Sequence, residues 1–167
     1  YGFFKITEGE SSGLWSVLRS SEDEVLKGSL LITLYENLRW KTISPQGFRE
    51  EMLAYLPNES NSLLFSMALS YLGDCQRIFP SDSRPLEQVL WKIVTTNPVS
   101  QHRLQAFRLY RSIADSEEAV QRLYTLWQER KAPKDCTLSE SHYIGLSYIL
   151  AMHLPEKADK IIATQLS

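Results

Sequence analysis

Apolar residues recur along most of the chain at intervals of three and four, the spacing of one buried face of an α-helix. Capping residues and prolines divide this pattern into segments, as where Ser44 precedes Pro45 or where Pro85 opens the stripe that begins at Leu86. The pattern predicts helices that start near residues 24, 45, 62, 85, 100, 117, 140 and 156. A shorter helix is expected around Leu14 and Leu18.

The same spacing predicts the core. The residues expected on buried helix faces are Leu26, Leu30, Leu34, Leu38, Phe48, Met52, Tyr55, Leu56, Leu63, Leu64, Met67, Ala68, Tyr71, Leu72, Leu86, Val89, Leu90, Ile93, Leu104, Phe107, Tyr110, Ile113, Val120, Leu123, Tyr124, Trp127, Tyr143, Leu146, Leu150, Leu154, Ala158, Ile161, Ile162 and Leu166. Trp15, Trp40 and Trp91 are interpreted as packing residues as well, because large aromatic rings contribute most when they are buried.

Alternate predicted helix starts are separated by roughly 32 to 40 residues, close to the period of HEAT and armadillo repeats. The loops between them are short, which favours antiparallel packing of neighbouring helices. We therefore predict an all-α fold, an irregular right-handed stack of antiparallel helix pairs that forms a HEAT-like or armadillo-like superhelix.

The first residues, YGFFKIT, depart from this helical pattern. Aromatic and β-branched side chains favour a strand, so residues 1–8 are predicted to form one short boundary strand and residues 9–167 the helical repeat domain. A lone strand leaves backbone donors and acceptors without partners, so it needs something to pair with. A chain that begins at Tyr1 rather than methionine is expected to be processed or to be a piece of a longer protein.

Composition narrows the class of protein. The chain is 43% hydrophobic and 23% charged, which is typical of a folded globular domain rather than a disordered one. Its formal net charge of -2 provides no overall attraction to nucleic acid or to anionic membranes, and we expect no nucleic-acid partner. The longest apolar run, residues 30–35, is far shorter than the roughly 20 residues that cross a bilayer, so no membrane span is expected. Compartment stays open.

Two cysteines are present, Cys75 in a predicted helix and Cys136 in a predicted loop. Neither belongs to a C-x-x-C pair. Their spacing allows two ordinary thiols or a single disulfide, and both alternatives remain at this point.

Candidate catalytic and metal-binding residues are few. His142 and His153 lie three helical turns apart, about 16 Å along the axis, and cannot share one metal ion. All three histidines, His102 included, are interpreted as surface or capping residues. Ser141 and His142 are adjacent in a predicted helix, where neighbouring side chains diverge by about 100° and do not face each other. Since the H-E-x-x-H, G-x-S-x-G, Walker and G-x-G-x-x-G motifs are also missing from the sequence, we predict no catalytic, cofactor-binding or metal-binding residue in this chain.

Three arginines, Arg103, Arg108 and Arg111, share one predicted helix. Guanidinium groups bind carboxylates and phosphates through paired hydrogen bonds, so these residues are candidates for binding an anion. The alternative is a solvated helix face with ion pairs to Glu117 or Glu118.

The first sixty residues resemble the start of a known helical domain. The residues that carry the resemblance, in order, are Gly2-Phe3-Phe4-Lys5-Ile6, Lys27-Gly28-Ser29-Leu30-Leu31, Tyr35, Ile43-Ser44, Tyr55-Leu56 and Glu59, with no gap from residue 27 to residue 59. They resemble the C-terminal helical domain of the aminopeptidase N family of zinc metallopeptidases. A looser resemblance, to bacterial members, continues through Leu126-Trp127 and Leu138-Ser139-Glu140.

The resemblance implies a function that composition and spacing do not reveal. In that family a β-sandwich domain precedes the helical domain, so the YGFFKIT segment would be a strand shared with it. The helical domain closes the chamber in which peptides reach a zinc ion held by a separate catalytic domain. The expected partners are therefore the catalytic and β-sandwich domains of the same polypeptide and a peptide substrate. In that family a basic side chain of the helical domain meets the free carboxylate of the peptide. Arg103 and Arg108 are the candidates for this contact here, although no family motif assigns the role to either position. The alternative is a free-standing helical-repeat scaffold that binds another protein.

Overall fold

The computed structural model describes residues 4–133 and 136–166, and the fold within these ranges is all-helical. The helices are α1 (Glu8–Ser20), α2 (Glu24–Arg39), α3 (Pro45–Tyr55), α4 (Ser62–Ile78), α5 (Arg84–Thr96), α6 (Ser100–Ile113), α7 (Glu117–Glu129), α8 (Glu140–His153) and α9 (Ala158–Leu166), with 3₁₀ turns at Leu56–Asn58 and Pro155–Lys157. The predicted starts at 24, 45, 62, 100, 117 and 140 are confirmed, and α5 begins one residue earlier than predicted.

Side-chain caps explain why these helix starts could be predicted from the sequence. The Asp23 carboxylate accepts hydrogen bonds from the Val25 and Leu26 backbone N–H groups, at 2.9 and 3.0 Å. Ser44 caps α3 through the Gly47 N–H, and its neighbour Pro45 has no N–H that would need a partner. Each cap satisfies donors that the first helical turn leaves free.

The chain divides into two compact units, Tyr1–Ser81 and Asp82–Ser167. In the first unit α2 packs against both α1 and α4. Lys27 near the start of α2 lies beside Glu59, which precedes α4, and Tyr35 further along stacks on Tyr71 with ring centroids 4.0 Å apart. Since contacts advance together along both helices, α2 and α4 run in the same direction.

In the second unit α5 and α6 form the most extensive helix pair, and α8 packs against α7 and α9. Trp91 of α5 contacts Tyr110 of α6 with ring centroids 5.2 Å apart. The buried core of this unit includes Leu86, Leu90, Phe107, Leu123, Leu146 and Leu150, all predicted from their spacing.

Residues 4–8, the described part of the predicted boundary strand, do not form a strand. Residues 4–7 are irregular, while residues 1–3 lie outside the described ranges. The backbone of this segment is bonded instead by a side chain. The Asn37 amide donates to the Phe4 carbonyl at 2.8 Å and accepts from the Ile6 N–H at 2.9 Å. A primary amide carries the same donor and acceptor as a peptide group, which is why the segment needs no partner strand here.

Several predictions of burial were wrong. Leu63 is 69% exposed, whereas Phe65, which we did not predict, is fully buried. Trp40 is also largely exposed, at the C-terminal end of α2. Two polar residues also belong to the core, because Asn37 and Glu87 are buried on stripes that otherwise carry leucine, isoleucine or valine.

Cys75 lies in α4 and Cys136 outside the helices, as predicted, and both are buried thiols rather than partners in a disulfide. Among the described residues, no helix is long and apolar enough to cross a membrane.

Candidate functional site

The arginines of α6 have different environments. Arg103 is buried and donates a hydrogen bond at 2.5 Å to the carbonyl of Asn97, in the turn between α5 and α6. Arg108 is exposed. Arg103 and Arg108 are five positions apart, which places their side chains about 140° apart around the helix axis. They therefore do not bind one ligand together. Of the two candidate contacts for a carboxylate, Arg108 is the one that reaches solvent.

The side chain of Arg111 extends from α6 to α8. Its guanidinium donates to the His142 carbonyl at 3.5 Å and lies against Gly145, whose missing side chain leaves room for it. Burial lowers the pKa of Arg111, and the positive charge of Arg108 lowers it further. The alternative prediction for this helix was an ion pair to Glu117 or Glu118. The Glu118 carboxylate pairs with Arg122 of its own helix, at 2.6 Å.

A cleft runs between α5 and α7 in the second unit. Its narrower end, of about 250 Å³, is lined by Arg84, Glu87, Gln88, Ser116, Glu117, Glu118, Ala119 and Arg122. Its more open end, of about 410 Å³, is lined by Trp91, Glu118, Gln121, Arg122, Thr125 and Leu126. Glu118 and Arg122 belong to both ends, so the two form one continuous surface.

Arg122 is the centre of this cleft. Its guanidinium carbon lies 4.5 Å from the centre of the Trp91 ring, a cation–π arrangement. One terminal nitrogen donates to the Tyr110 hydroxyl at 2.9 Å and the other to Glu118 at 2.6 Å. These contacts fix the guanidinium and present a flat, amphipathic wall, which suits recognition rather than bond making.

Glu87 closes the narrow end of the cleft. It is a buried carboxylate that accepts hydrogen bonds from the Ser83 hydroxyl and the Asp115 N–H, both at 2.8 Å, and from the N–H and hydroxyl of Ser116. Burial by itself raises the pKa of Glu87, but these hydrogen bonds together outweigh it and hold the pKa below its ordinary value. Glu87 therefore ties the start of α5 to the start of α7.

A second buried carboxylate, Glu59, lies in the first unit. It accepts from the Asn61 N–H at 2.7 Å and from the Tyr55 hydroxyl, and it pairs with the Lys27 ammonium at 2.5 Å. The ammonium also lies 5.6 Å from the centre of the Tyr55 ring. Burial raises the pKa of Glu59, while the hydrogen bonds from Lys27, Tyr55 and Asn61 lower it by more.

The histidines differ from one another. His102 is fully buried, so its interpretation as a surface or capping residue was wrong. His142 is a capping residue: its Nδ1 lies 2.7 Å from the Ser139 hydroxyl and accepts from the Ser139 N–H at 3.0 Å. The side chain thus pairs with Ser139 at the helix start, not with the adjacent Ser141. His153 is exposed in the last turn of α8.

Metal-binding groups are not clustered in the described ranges. Among residues 4–133 and 136–166, no three side chains from histidine, cysteine, aspartate or glutamate lie close enough together to hold a metal ion.

Sequence reasoning missed the buried polar residues Asn37, Glu59 and Glu87. A signal for two of them was present. Asn37 lies three positions after Leu34, and Glu87 three positions before Leu90, so each occupies a place on an apolar stripe. Both also bond nearby residues, but their partners 28 to 33 residues away in sequence are not marked by any local pattern.

Comparisons with known proteins found no match. No protein-family model matches the sequence, and neither a curated protein nor a solved structure matches the chain.

Proposed function

We propose that this chain is the non-catalytic C-terminal helical domain of a zinc aminopeptidase. In this proposal its helix pairs stack as an irregular right-handed superhelix that closes the substrate chamber. The zinc ion and its ligands belong to the catalytic domain. A concave helical wall of this kind limits which peptides enter and keeps bulk water out.

The observation that carries the proposal is the gap-free resemblance over residues 27–59. Three of its polar or aromatic members, the half-buried Lys27 and the buried Tyr55 and Glu59, meet in one cluster although up to 32 residues separate them in sequence. Removing one partner would leave the other charge without its counterion in a largely buried place, which is costly. The cluster shows that the two ends of the matched stretch pack together in this chain.

The gene that encodes the chain provides the first test. We expect an H-E-x-x-H motif and a G-x-M-E-N-type stretch some hundreds of residues upstream of Tyr1 in the same reading frame. A reading frame without both motifs would contradict the proposal.

An activity assay provides the second test. The isolated chain should not hydrolyse an aminoacyl anilide in the presence of added zinc. Zinc hydrolases hold the metal with three protein ligands, and the described residues bring no three such ligands together. A catalytic-domain preparation from the same gene serves as the positive control. Turnover by the isolated chain, at a rate that scales with its purity, would overturn the assignment.

The second candidate is a helical-repeat scaffold that binds another protein. An exposed apolar groove between α2 and α4 favours it: about 410 Å³ in size, it is lined by Glu24, Val25, Gly28, Ser29, Ile32, Asn61, Leu63, Leu64 and Met67. Exposed apolar surface of this kind marks interaction sites. An upstream reading frame without the two aminopeptidase motifs would favour this candidate.

A further inference from the structure

Helix α8 is apolar on more than one side. One side packs into the core of the second unit through buried residues such as Leu146 and Leu150. On another side Ile144, Tyr148 and Met152 recur at every fourth residue and are 40%, 61% and 72% exposed, and we call these three residues the α8 stripe. A helix that is apolar all round is normally buried all round. Single exposed apolar residues are common on protein surfaces, but three in one row indicate an interaction surface.

Two arginines of α6 border the α8 stripe. The guanidinium of Arg111 lies 3.4 Å from the position that a Cβ atom of Gly145 would take. Around the axis of α8, Gly145 is about 60° from Tyr148 and about 20° from Met152, so the guanidinium lies at the edge of the stripe. Burial lowers the pKa of Arg111, and the nearby charge of Arg108 lowers it further. The two positive charges are therefore close together on this side of the stripe.

The charges beside the stripe have one sign. Helix α6 carries three arginines and no aspartate or glutamate, and the one carboxylate of α8, Glu140, pairs with Arg130. Among the described residues, no carboxylate pairs with Arg108 or Arg111. Arg111 is half-buried, and its hydrogen bond to the His142 carbonyl is long, at 3.5 Å. A carboxylate placed there would form a stronger, charge-assisted hydrogen bond.

These features distinguish between kinds of partner. The described part of the chain contains helices and no strand, so a partner segment cannot extend a sheet and has to satisfy its own backbone, as a helix does. A symmetric pair of copies that used this face would bring arginines against arginines, which is unfavourable. Membrane-binding segments carry about four to eight basic residues, whereas Arg108 and Arg111 are two.

We propose that the α8 stripe, with Arg108 and Arg111 at its edge, binds an acidic amphipathic helix of a partner protein. The apolar face of that helix covers Ile144, Tyr148 and Met152 and supplies most of the affinity. Aspartate or glutamate beside that face pairs with the two guanidinium groups and selects the partner by charge. This inference does not depend on the proposed aminopeptidase function, and its test measures peptide binding rather than hydrolysis.

Fluorescence anisotropy with the full chain tests the binding. The probe is a labelled, end-capped peptide of about 18 residues, designed as a helix with leucine along one face and glutamate along both edges of that face. A second probe has lysine in place of every glutamate. We expect the acidic probe to bind at least about tenfold more tightly than the lysine probe, because only its side chains can pair with Arg108 and Arg111.

Variants of the chain test where the probe binds, each shown by circular dichroism to be folded. Tyr148→Ser combined with Met152→Ser removes most of the exposed apolar surface of the stripe and should weaken the acidic probe at least about tenfold. Val17→Ser, at a 42% exposed position in α1, is the matched control and should leave binding unchanged. Arg108→Glu should weaken the acidic probe about three- to tenfold and should not weaken the lysine probe. Lys5→Glu, at an exposed position outside the second unit, should weaken neither.

Three results would overturn the proposal. The first is that the acidic probe does not bind, or binds no more tightly than the lysine probe. The second is that it binds the Tyr148→Ser, Met152→Ser double variant as tightly as the unmodified chain, because the probe would then occupy another surface. The third comes from sedimentation: if the double substitution abolishes dimers of the chain, or its binding to vesicles of phosphatidylserine and phosphatidylcholine, the stripe serves a second copy or a membrane instead.

Discussion

At the scale of the residue, the chain relies on buried polar side chains whose hydrogen bonds are satisfied. Asn37, Glu59 and Glu87 are each at most 4% exposed. Asn37 and Glu87 bond backbone groups 33 and 28 residues away, whereas Glu59 bonds the N–H of the nearby Asn61. A buried donor or acceptor without a partner costs roughly 1 to 3 kcal/mol, so such residues fix the position of the backbone that they bond. They fix the positions of loops more precisely than apolar contacts do.

Glu87 provides a prediction of stability. We expect Glu87→Gln to lower the free energy of unfolding by about 1 to 3 kcal/mol, because the amide replaces one acceptor oxygen with a donor facing the Ser116 hydroxyl. Chemical denaturation at pH 7 measures this difference. Glu129→Gln, at an exposed position in α7, is the matched control and should change stability by less than about 0.5 kcal/mol.

The same carboxylate makes stability depend on pH. The folded pKa of Glu87 is held below the ordinary value of 4.5, so the unfolded chain binds the proton more readily than the folded chain does. The stabilisation is fully present above about pH 5 and is lost as the pH falls through the folded pKa. Denaturation from pH 7 to pH 3 should therefore show a shallower loss of stability for Glu87→Gln, and equal slopes would contradict this assignment.

Arg108 provides a prediction that belongs to the proposed function. In the full enzyme, Arg108→Ala should raise KM for short peptides with a free carboxylate about tenfold and leave KM for amide-capped peptides unchanged. The charge-assisted hydrogen bond is available only to the free carboxylate. Lys160→Ala, which removes an exposed cation from α9, controls for net charge. Equal effects on both peptide types would reject the contact.

At the scale of the element, helix positions were predictable because capping and breaking residues are local signals. Ser44 with Pro45, Asp23 and Ser116 each mark a helix start within a few residues of sequence. The boundary strand was wrongly predicted because β-propensity describes how a side chain fits a sheet and does not show whether a sheet is present. Here a side-chain amide from α2 bonds that backbone instead.

Two helical glycines give a matched test of how these elements are built. A methyl group at Gly13, in α1, would meet nothing within 4 Å. Gly13→Ala should therefore raise the free energy of unfolding by about 0.5 to 1 kcal/mol through helix propensity. A methyl group at Gly47 would lie 2.9 Å from the Ser44 hydroxyl that caps α3 and 3.1 Å from the Glu8 carboxylate.

We expect Gly47→Ala to lose the cap and lower the free energy of unfolding by up to about 1 kcal/mol despite its better propensity. Thermal and urea unfolding of the two variants, compared with the unmodified chain, measure the difference. If both substitutions stabilise equally, the cap at Ser44 does not constrain the first turn of α3.

At the scale of the whole molecule, each of the two units has its own buried carboxylate. Glu59 binds Lys27, Tyr55 and Asn61 inside Tyr1–Ser81, whereas Glu87 binds Ser83, Asp115 and Ser116 inside Asp82–Ser167. Helix content could be predicted from sequence over this whole length because its signals are local. The division at residue 81 could not, since it follows from contacts between residues far apart in the chain.

This separation leads to a prediction about cooperativity. Hydrogen exchange followed by mass spectrometry should show that Glu59→Gln reduces protection mainly within Tyr1–Ser81 and that Glu87→Gln reduces it mainly within Asp82–Ser167. Each substitution weakens bonds that lie inside one unit, so only openings of that unit become more frequent. Because the substitutions are chemically identical, each serves as the control for the other. If both substitutions lower protection uniformly along the chain, the two units unfold as one cooperative structure. The units would then be separate sets of contacts but not separate units of unfolding.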